Sequence, residues 1–233
     1  SAPRPAALIS GTACQWPGQL PPYKGIRYAN RRAVEVPFPV THWDGVYDAT
    51  QYGACCYQPR AFYDEAAAPG KTFYYNEFRK GETYTYSEDC LFLNIWPLLT
   101  QPEDRLPVIF YIHGGGFTGG CGHEKHFDGP VWPTKGCVAV TINYRLGPMG
   151  FVCLPELADE AGSTGNYALL DQLAALQWVR ANIAALAAIL QAAEIQQLLH
   201  MLYRRAVSLL MISNLAVVLI GGVIQGAQGL HPA

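Results

Sequence analysis

The chain has 233 residues, half of them hydrophobic, which is enough for one sizeable core or two small ones. A formal net charge of −2 gives no electrostatic footprint for nucleic acid, and the basic pairs Arg31-Arg32 and Arg204-Arg205 read as solvated surface. An aromatic content of 12% excludes a disordered chain.

The first predicted elements are short buried strands. Leu91 to Trp96, Val108 to Ile112 and Val138 to Ile142 are rich in β-formers, each bounded by proline, glycine or polar residues. The second of these runs straight into His113-Gly114-Gly115-Gly116-Phe117-Thr118-Gly119-Gly120. Successive glycines let backbone N–H groups point into open space, where they can cradle a negative charge. From Tyr167 to Ala185 the period changes. Leu169, Leu173, Leu176, Val179 and Ile183 share one face at helical spacing, with Asn166 as N-cap and Asp171 in the early turns. Strands followed by such a helix predict a crossover onto a mixed or parallel sheet.

Composition breaks near residue 181. From Ala181 to Ala233 only Glu194, Arg204 and Arg205 are charged, and alanine, leucine and isoleucine dominate. Ala185 to Leu202 reads as a second helix. Ala206 to Ile224 carries no charge and is long enough to cross a membrane. Ser208, Ser213, Asn214 and Gly221-Gly222 in its body favour a buried strand plus helix segment instead, so a membrane span is disfavoured.

Seven cysteines (Cys14, Cys55, Cys56, Cys90, Cys121, Cys137 and Cys153) leave one thiol over in a monomer. There is no charged-then-apolar leader and no Asn-x-Ser/Thr sequon, which leans towards a reduced, cytoplasmic setting. Ser1 is not a start methionine, so a removed leader and secretion are the alternative. Cys121-Gly122-His123-Glu124-Lys125-His126 invites a zinc reading, but a zincin helix needs histidines four apart on one face. Here the spacing is three and position 127 is Phe. A solvated loop is expected, and no metal or other cofactor is assigned.

Longer motifs carry a resemblance. Lys24-Gly25-Ile26-Arg27-Tyr28-Ala29 is followed by Trp43, by Asp48-Ala49-Thr50 and by Cys56-Tyr57-Gln58. Ser87-Glu88-Asp89-Cys90-Leu91-Phe92-Leu93-Asn94-Ile95-Trp96 precedes the glycine turn. Asn143-Tyr144-Arg145-Leu146-Gly147-Pro148-Met149-Gly150-Phe151 and Gly165-Asn166-Tyr167-Ala168-Leu169-Leu170-Asp171-Gln172 follow it. From about residue 20 to 185 this series resembles the type-B carboxylesterase family. The resemblance implies an α/β protein. Residues 1–185 would be the N-terminal portion of an α/β-hydrolase fold, a mixed central sheet with crossover helices. Residues 186–233 would follow as an atypical Ala/Leu-rich, apolar helical tail.

The implied reaction is hydrolysis of a small-molecule carboxylic ester through an acyl-serine. The backbone N–H groups of Gly115 and Gly116 would stabilise the oxyanion, with His113 structural. The accompanying Gly-x-Ser-x-Gly elbow is absent from the sequence. Ser163 lies in Gly162-Ser163-Thr164-Gly165, which misses the pattern; Ser208 and Ser213 lack flanking glycines, and His231 is too near the end to serve as the base. The acidic and histidine triad members are likewise missing, so this chain alone is expected to be nearly inert. In secreted relatives the matching cysteines pair, which here would join Cys56 to Cys90; two buried free thiols in a cytoplasmic homologue are the reading preferred.

The stretch from Pro59 to Ser87 is rich in aromatics (Phe62, Tyr63, Phe73, Tyr74, Tyr75, Phe78, Tyr84, Tyr86) but lacks the tryptophan that binds a choline head in cholinesterases. Uncharged aryl or alkyl esters are therefore the expected substrates. Two rivals stand beside this reading: a non-catalytic binding or adhesion module of the neuroligin kind, and a truncated domain with a C-terminal membrane anchor. A sheet cut before its later strands would expose an edge. Self-association, a complementary fragment or cover by the tail is expected in consequence.

Overall fold

Val108–Ile112 and Val138–Ile142 offer no polar face, and strands of that kind are stable only when covered on both sides. In the computed structural model they lie side by side, and every residue of both is buried. The structure describes residues 9–10, 22–30, 35–59, 70, 72–78, 80–97, 106–125, 127, 131–157, 165–183 and 216–220.

In chain order the strands are β1 (Ile9–Ser10), β2 (Tyr23–Arg27), β3 (Ala29–Asn30), β4 (Phe38–Pro39), β5 (Tyr47–Asp48) and β6 (Cys55–Cys56). They continue with β7 (Tyr86–Ser87), β8 (Phe92–Trp96), β9 (Val108–Ile112), β10 (Val138–Ile142) and β11 (Ala216–Ile220). The α-helices are α1 (Thr72–Phe78), α2 (Gly147–Phe151) and α3 (Tyr167–Asn182). α1 forms inside the aromatic stretch from Pro59 to Ser87, for which no helix was expected.

The main sheet is mixed, in the order β11-β9-β10-β8-β2. β9 and β10 run parallel, with Val108 beside Val138 and Ile112 beside Ile142. β8 lies antiparallel to β10, and β2 antiparallel to β8 with a register slip between Tyr23 and Ile26. The Gly25 N–H at that slip donates to the buried Asn94 side chain, which in turn donates to Thr141 Oγ1 (2.9 and 3.1 Å). The three expected strands are thus present, β8 beginning one residue late. Cys56 and Cys90 are joined by a disulfide, so of the two sequence alternatives the structure has the bridge and not the favoured pair of free thiols.

β11 agrees with the strand-plus-helix reading of Ala206 to Ile224 in being a strand, and departs from the helical tail expected over residues 186–233. Ala216–Ile220 is a strand pairing antiparallel with β9, Ala216 beside Ile112 and Ile220 beside Val108. The helical tail anticipated from composition is therefore not what these five residues form, and they also interrupt the segment weighed as a membrane span. An apolar run rich in valine and isoleucine beside an open strand edge gains a full ladder of backbone bonds as a strand. Among the described residues no helix is long and apolar enough to cross a membrane. The expected helix over 185–202, the serines at 163, 208 and 213, His231, both arginine pairs, Cys14 and His126 lie outside the described residues.

α3 starts and ends near its expected bounds, for reasons the sequence reading did not identify. Asn166 takes a left-handed conformation (φ 61°, ψ 31°) and caps nothing with its side chain; its carbonyl accepts from the N–H groups of Leu169 and Leu170. Leu176, Val179 and Ile183 are buried as expected, whereas Leu169 and Leu173 are only half-buried. The buried stripe runs instead through Tyr167, Ala168, Asp171, Gln172, Ala175 and Trp178. Asp171 is not a solvated partner of the helix dipole. It is fully buried and held by Arg145, whose Nε and Nη2 donate to its two oxygens at 2.7 and 2.6 Å and whose backbone N–H donates at 3.0 Å. Arg145 Nη1 also donates to the Glu35 carbonyl at 2.7 Å, and the guanidinium lies over the Tyr167 ring.

Removing one member of a buried pair strands the other charge. Asp171→Ala is expected to lower the urea unfolding free energy by about 3–5 kcal/mol, whereas a surface change such as Glu82→Ala should fall within about 0.5 kcal/mol. The disulfide closes a loop with a sequence separation of 34. Cys56→Ser with Cys90→Ser is expected to cost about 4 kcal/mol in the same assay.

Candidate functional site

The glycine turn leaves the C-terminal end of β9. Gly115, Gly116 and Phe117 all have positive φ (126°, 60° and 65°). The turn closes on the Gly115 carbonyl, which accepts from the N–H groups of Thr118 and Gly119, both at 3.1 Å. A Cβ at Gly115 would lie 2.0 Å from the Gly119 carbonyl oxygen, so only glycine permits this closure. A Cβ at Gly116 would meet nothing within 4 Å, showing that the chain there borders open space. Among the described residues neither the Gly115 nor the Gly116 N–H has a backbone acceptor. Phe117 is 43% exposed and sits edge-on to Phe151 at 4.8 Å, and its carbonyl accepts from the Gly147 N–H at 2.7 Å.

His113 anchors the base of this turn. Its ring is buried, stacked on Tyr144 at 4.4 Å, with Nδ1 2.9 Å from the Gly114 carbonyl. Tyr144 Oη donates to the His113 carbonyl at 2.7 Å. Burial pushes the His113 pKa down from 6.5 to about 4, outweighing the hydrogen bond to Gly114, so the ring is neutral and Nδ1–H is the donor. Burial likewise raises the Tyr144 hydroxyl well above its ordinary value. Neither group stands ready to exchange a proton near neutrality.

A lowered histidine pKa means that the unfolded chain takes up a proton which the folded chain refuses. The stability contributed by neutral His113 is complete above about pH 6.5 and drains as pH falls towards about 4, a loss of up to about 3 kcal/mol. Urea titrations at pH 7 and pH 4.5 should show this loss in the parent and a smaller one in His113→Asn.

Beside the turn the chain gathers residues that the sequence reading kept apart. Cys55, Cys121 and His123 are all buried, and one donor atom from each lies within 4.8 Å of the others. Cys55 Sγ is 3.6 Å from His123 Nε2. For residues 121–126 a solvated loop was expected in preference to a zinc site; Cys121, His123 and Glu124 are instead buried. The missing partner was Cys55, hidden in a Cys55-Cys56 tandem whose members face different neighbours. Burial and a hydrogen bond to Cys55 raise the Cys121 thiol, against an opposing contribution from His123. The disulfide borders the same region. Of the aromatic stretch, Tyr84 leans on His123, while Lys125 Nζ donates to the carbonyls of Asn76 and Lys80 and ties α1 to the loop after the turn. Phe62 and Tyr63 lie outside the described residues.

The carboxylesterase family model matches residues 7–188. The para-nitrobenzyl esterase of Bacillus subtilis (strain 168) is 41% identical over 168 residues, covering 70% of this chain and 31% of that protein. Fumonisin B1 esterase of Sphingopyxis macrogoltabida is 38% identical over 149 residues, 63% of this chain and 25% of that protein. The cholinesterase of Mus musculus is 36% identical over 182 residues, 76% of this chain and 27% of its own length. A solved PNB esterase superposes with a TM-score of 0.64 at 36% identity, over 77% of this chain and 34% of that one. The chain spans between a quarter and a third of the length of these relatives. With the family model matched over most of its length and its mixed sheet superposing on solved esterases, the chain belongs to the carboxylesterase family.

Proposed function

We propose that this chain is the oxyanion-stabilising, N-terminal portion of a serine carboxylester hydrolase acting on uncharged aryl or alkyl esters. The observation that carries the reading is the turn after β9. It presents the N–H groups of Gly115 and Gly116 at the strand's C-terminal end, held by Gly115 closure below and by Tyr144 and Gly147 behind. Donors fixed in this way stabilise the charge that builds on an ester carbonyl oxygen as a nucleophile attacks. Each such donor contributes a factor of about 10²–10³ in rate. The nucleophile, the general base and its acidic partner would come from a complementary segment carrying a Gly-x-Ser-x-Gly elbow. The Cys56–Cys90 bridge supports an oxidising compartment over the reduced one expected from the sequence.

The test has two arms. The purified chain, its mass checked at 25.5 kDa, should neither hydrolyse p-nitrophenyl butyrate above buffer nor form a covalent adduct with an organophosphonate. Residues 22–183 exchanged into the matching region of the Bacillus subtilis esterase should give a hydrolase of p-nitrophenyl esters. Gly115→Ala in that chimera should lower kcat by about 10²–10³. Turnover by the chain alone, or a folded chimera without turnover, would overturn the proposal.

A further inference from the structure

Two thiols and an imidazole converge at a point where apolar side chains would ordinarily fill space. Cys55 and Cys121 are fully buried and His123 is 8% exposed. Soft sulfur and imidazole donors suit Zn²⁺ and Cu⁺ above the oxygen-seeking cations. A tetrahedral zinc with Zn–S about 2.3 Å and Zn–N about 2.0–2.1 Å has an S···N edge of about 3.6 Å. That is the separation of Cys55 Sγ from His123 Nε2.

The frame around these donors is built. One buried amide, Asn143, accepts from the Gly122 N–H at 2.7 Å and donates to the Ala54 carbonyl at 3.0 Å. It thereby ties the residue before Cys55 to the residue between Cys121 and His123. On the far side Gln58 does the same, with Nε2 donating to the Gly120 carbonyl and Oε1 accepting the Gly120 N–H (2.9 and 2.7 Å). The neighbouring Cys56–Cys90 disulfide holds β6 in place. Gly122 lets the Cys-Gly-His bend press on the end of β10, where a Cβ would lie 2.8 Å from the Ile142 carbonyl oxygen. The His123 ring is stacked on Tyr52 at 4.6 Å and flanked by Tyr84 at 5.5 Å, which fixes its plane. Supports of this kind orient ligands before a metal arrives and tune its affinity.

We propose that Cys55, Cys121 and His123 form a structural binding site for one thiophilic cation, Zn²⁺ or Cu⁺, pinning β6 to the loop that follows the glycine turn. Binding displaces the thiol protons to solvent and leaves two thiolates and a neutral imidazole on the ion. The ion would also keep Cys55 and Cys121 from oxidation beside a native disulfide.

The experiment uses the full chain with its disulfide intact. Metal content is measured as purified; after chelation, Co²⁺ is titrated anaerobically and then displaced by Zn²⁺, with a parallel Cu⁺ titration against a chromophoric chelator. The expected result is one equivalent bound, a thiolate-to-cobalt charge-transfer band lost on adding Zn²⁺, and a higher Tm with metal. Cys55→Ser, Cys121→Ser and His123→Gln should each weaken binding by about 100-fold or more, while Cys137→Ser and Cys153→Ser leave it unchanged. A preference in the chelator competition distinguishes the two cations. Should the ligand variants fail to fold, the parent decides alone. Absence of one tight equivalent of either ion, a charge-transfer band that survives Cys55→Ser, or a Cys55–Cys121 disulfide in non-reduced peptide maps would overturn the proposal.

Discussion

The buried pair of Arg145 and Asp171 is the constraint on which the arrangement depends. A carboxylate with no exposure must have its oxygens satisfied within the protein, and here a single arginine supplies three donors to it. That demand joins three stretches distant in sequence: the segment leaving β10, the first turns of α3, and the chain at Glu35. Because both charges lose everything if separated, the segment from Asn143 to Leu146 has one permitted position. Its neighbours then reach the glycine turn, Tyr144 through the His113 carbonyl and Gly147 through the Phe117 carbonyl. Charge burial at Arg145 and Asp171 thus bears on where the two glycine N–H groups stand.

The turn itself stores strain. Phe117 is not a glycine, yet it is held at φ 65°, a conformation that costs on the order of 1 kcal/mol for a residue with a side chain. The surroundings maintain it by the bond from Gly147 and the contact with Phe151. Such rigidity suits the oxyanion role proposed for the turn, since donors that need no rearrangement as charge develops give their full electrostatic value. A neutral His113 at the base adds to this, because a cationic imidazole packed on Tyr144 would have to draw in water.

Sequence carried much of this architecture. Val108–Ile112 and Val138–Ile142 were legible because strands buried on both faces leave uninterrupted apolar runs, and the glycine turn because consecutive glycines have few other uses. What escaped was whatever depends on partners remote in sequence. Asp171 looked like a helix-start carboxylate until Arg145 appeared beside it. Leu169 and Leu173 looked like core, but the helix turns alanines and a carboxylate inward because Arg145 and α2 approach there. Within the run read as a buried strand plus helix segment, the strand's place at Ala216–Ile220 was not legible, since its ladder partner β9 is remote in sequence. Cys55 gave no hint of Cys121 and His123, for nothing local links them.

The pairing of β9 with β11 has a consequence for how the polypeptide reaches its native state. β9 ends in the glycine turn, yet one of its two ladders is supplied by Ala216–Ile220, residues made long after it. Closing so long a loop is slow, and the edge of β9 stays open to any passing strand until the closure is complete. During synthesis a strand buried along its whole length is therefore the one with the longest wait for its last neighbour. Intermolecular capture of that edge is the characteristic misfolding route for this topology, and chaperone occupancy should rise while the tail is still being made.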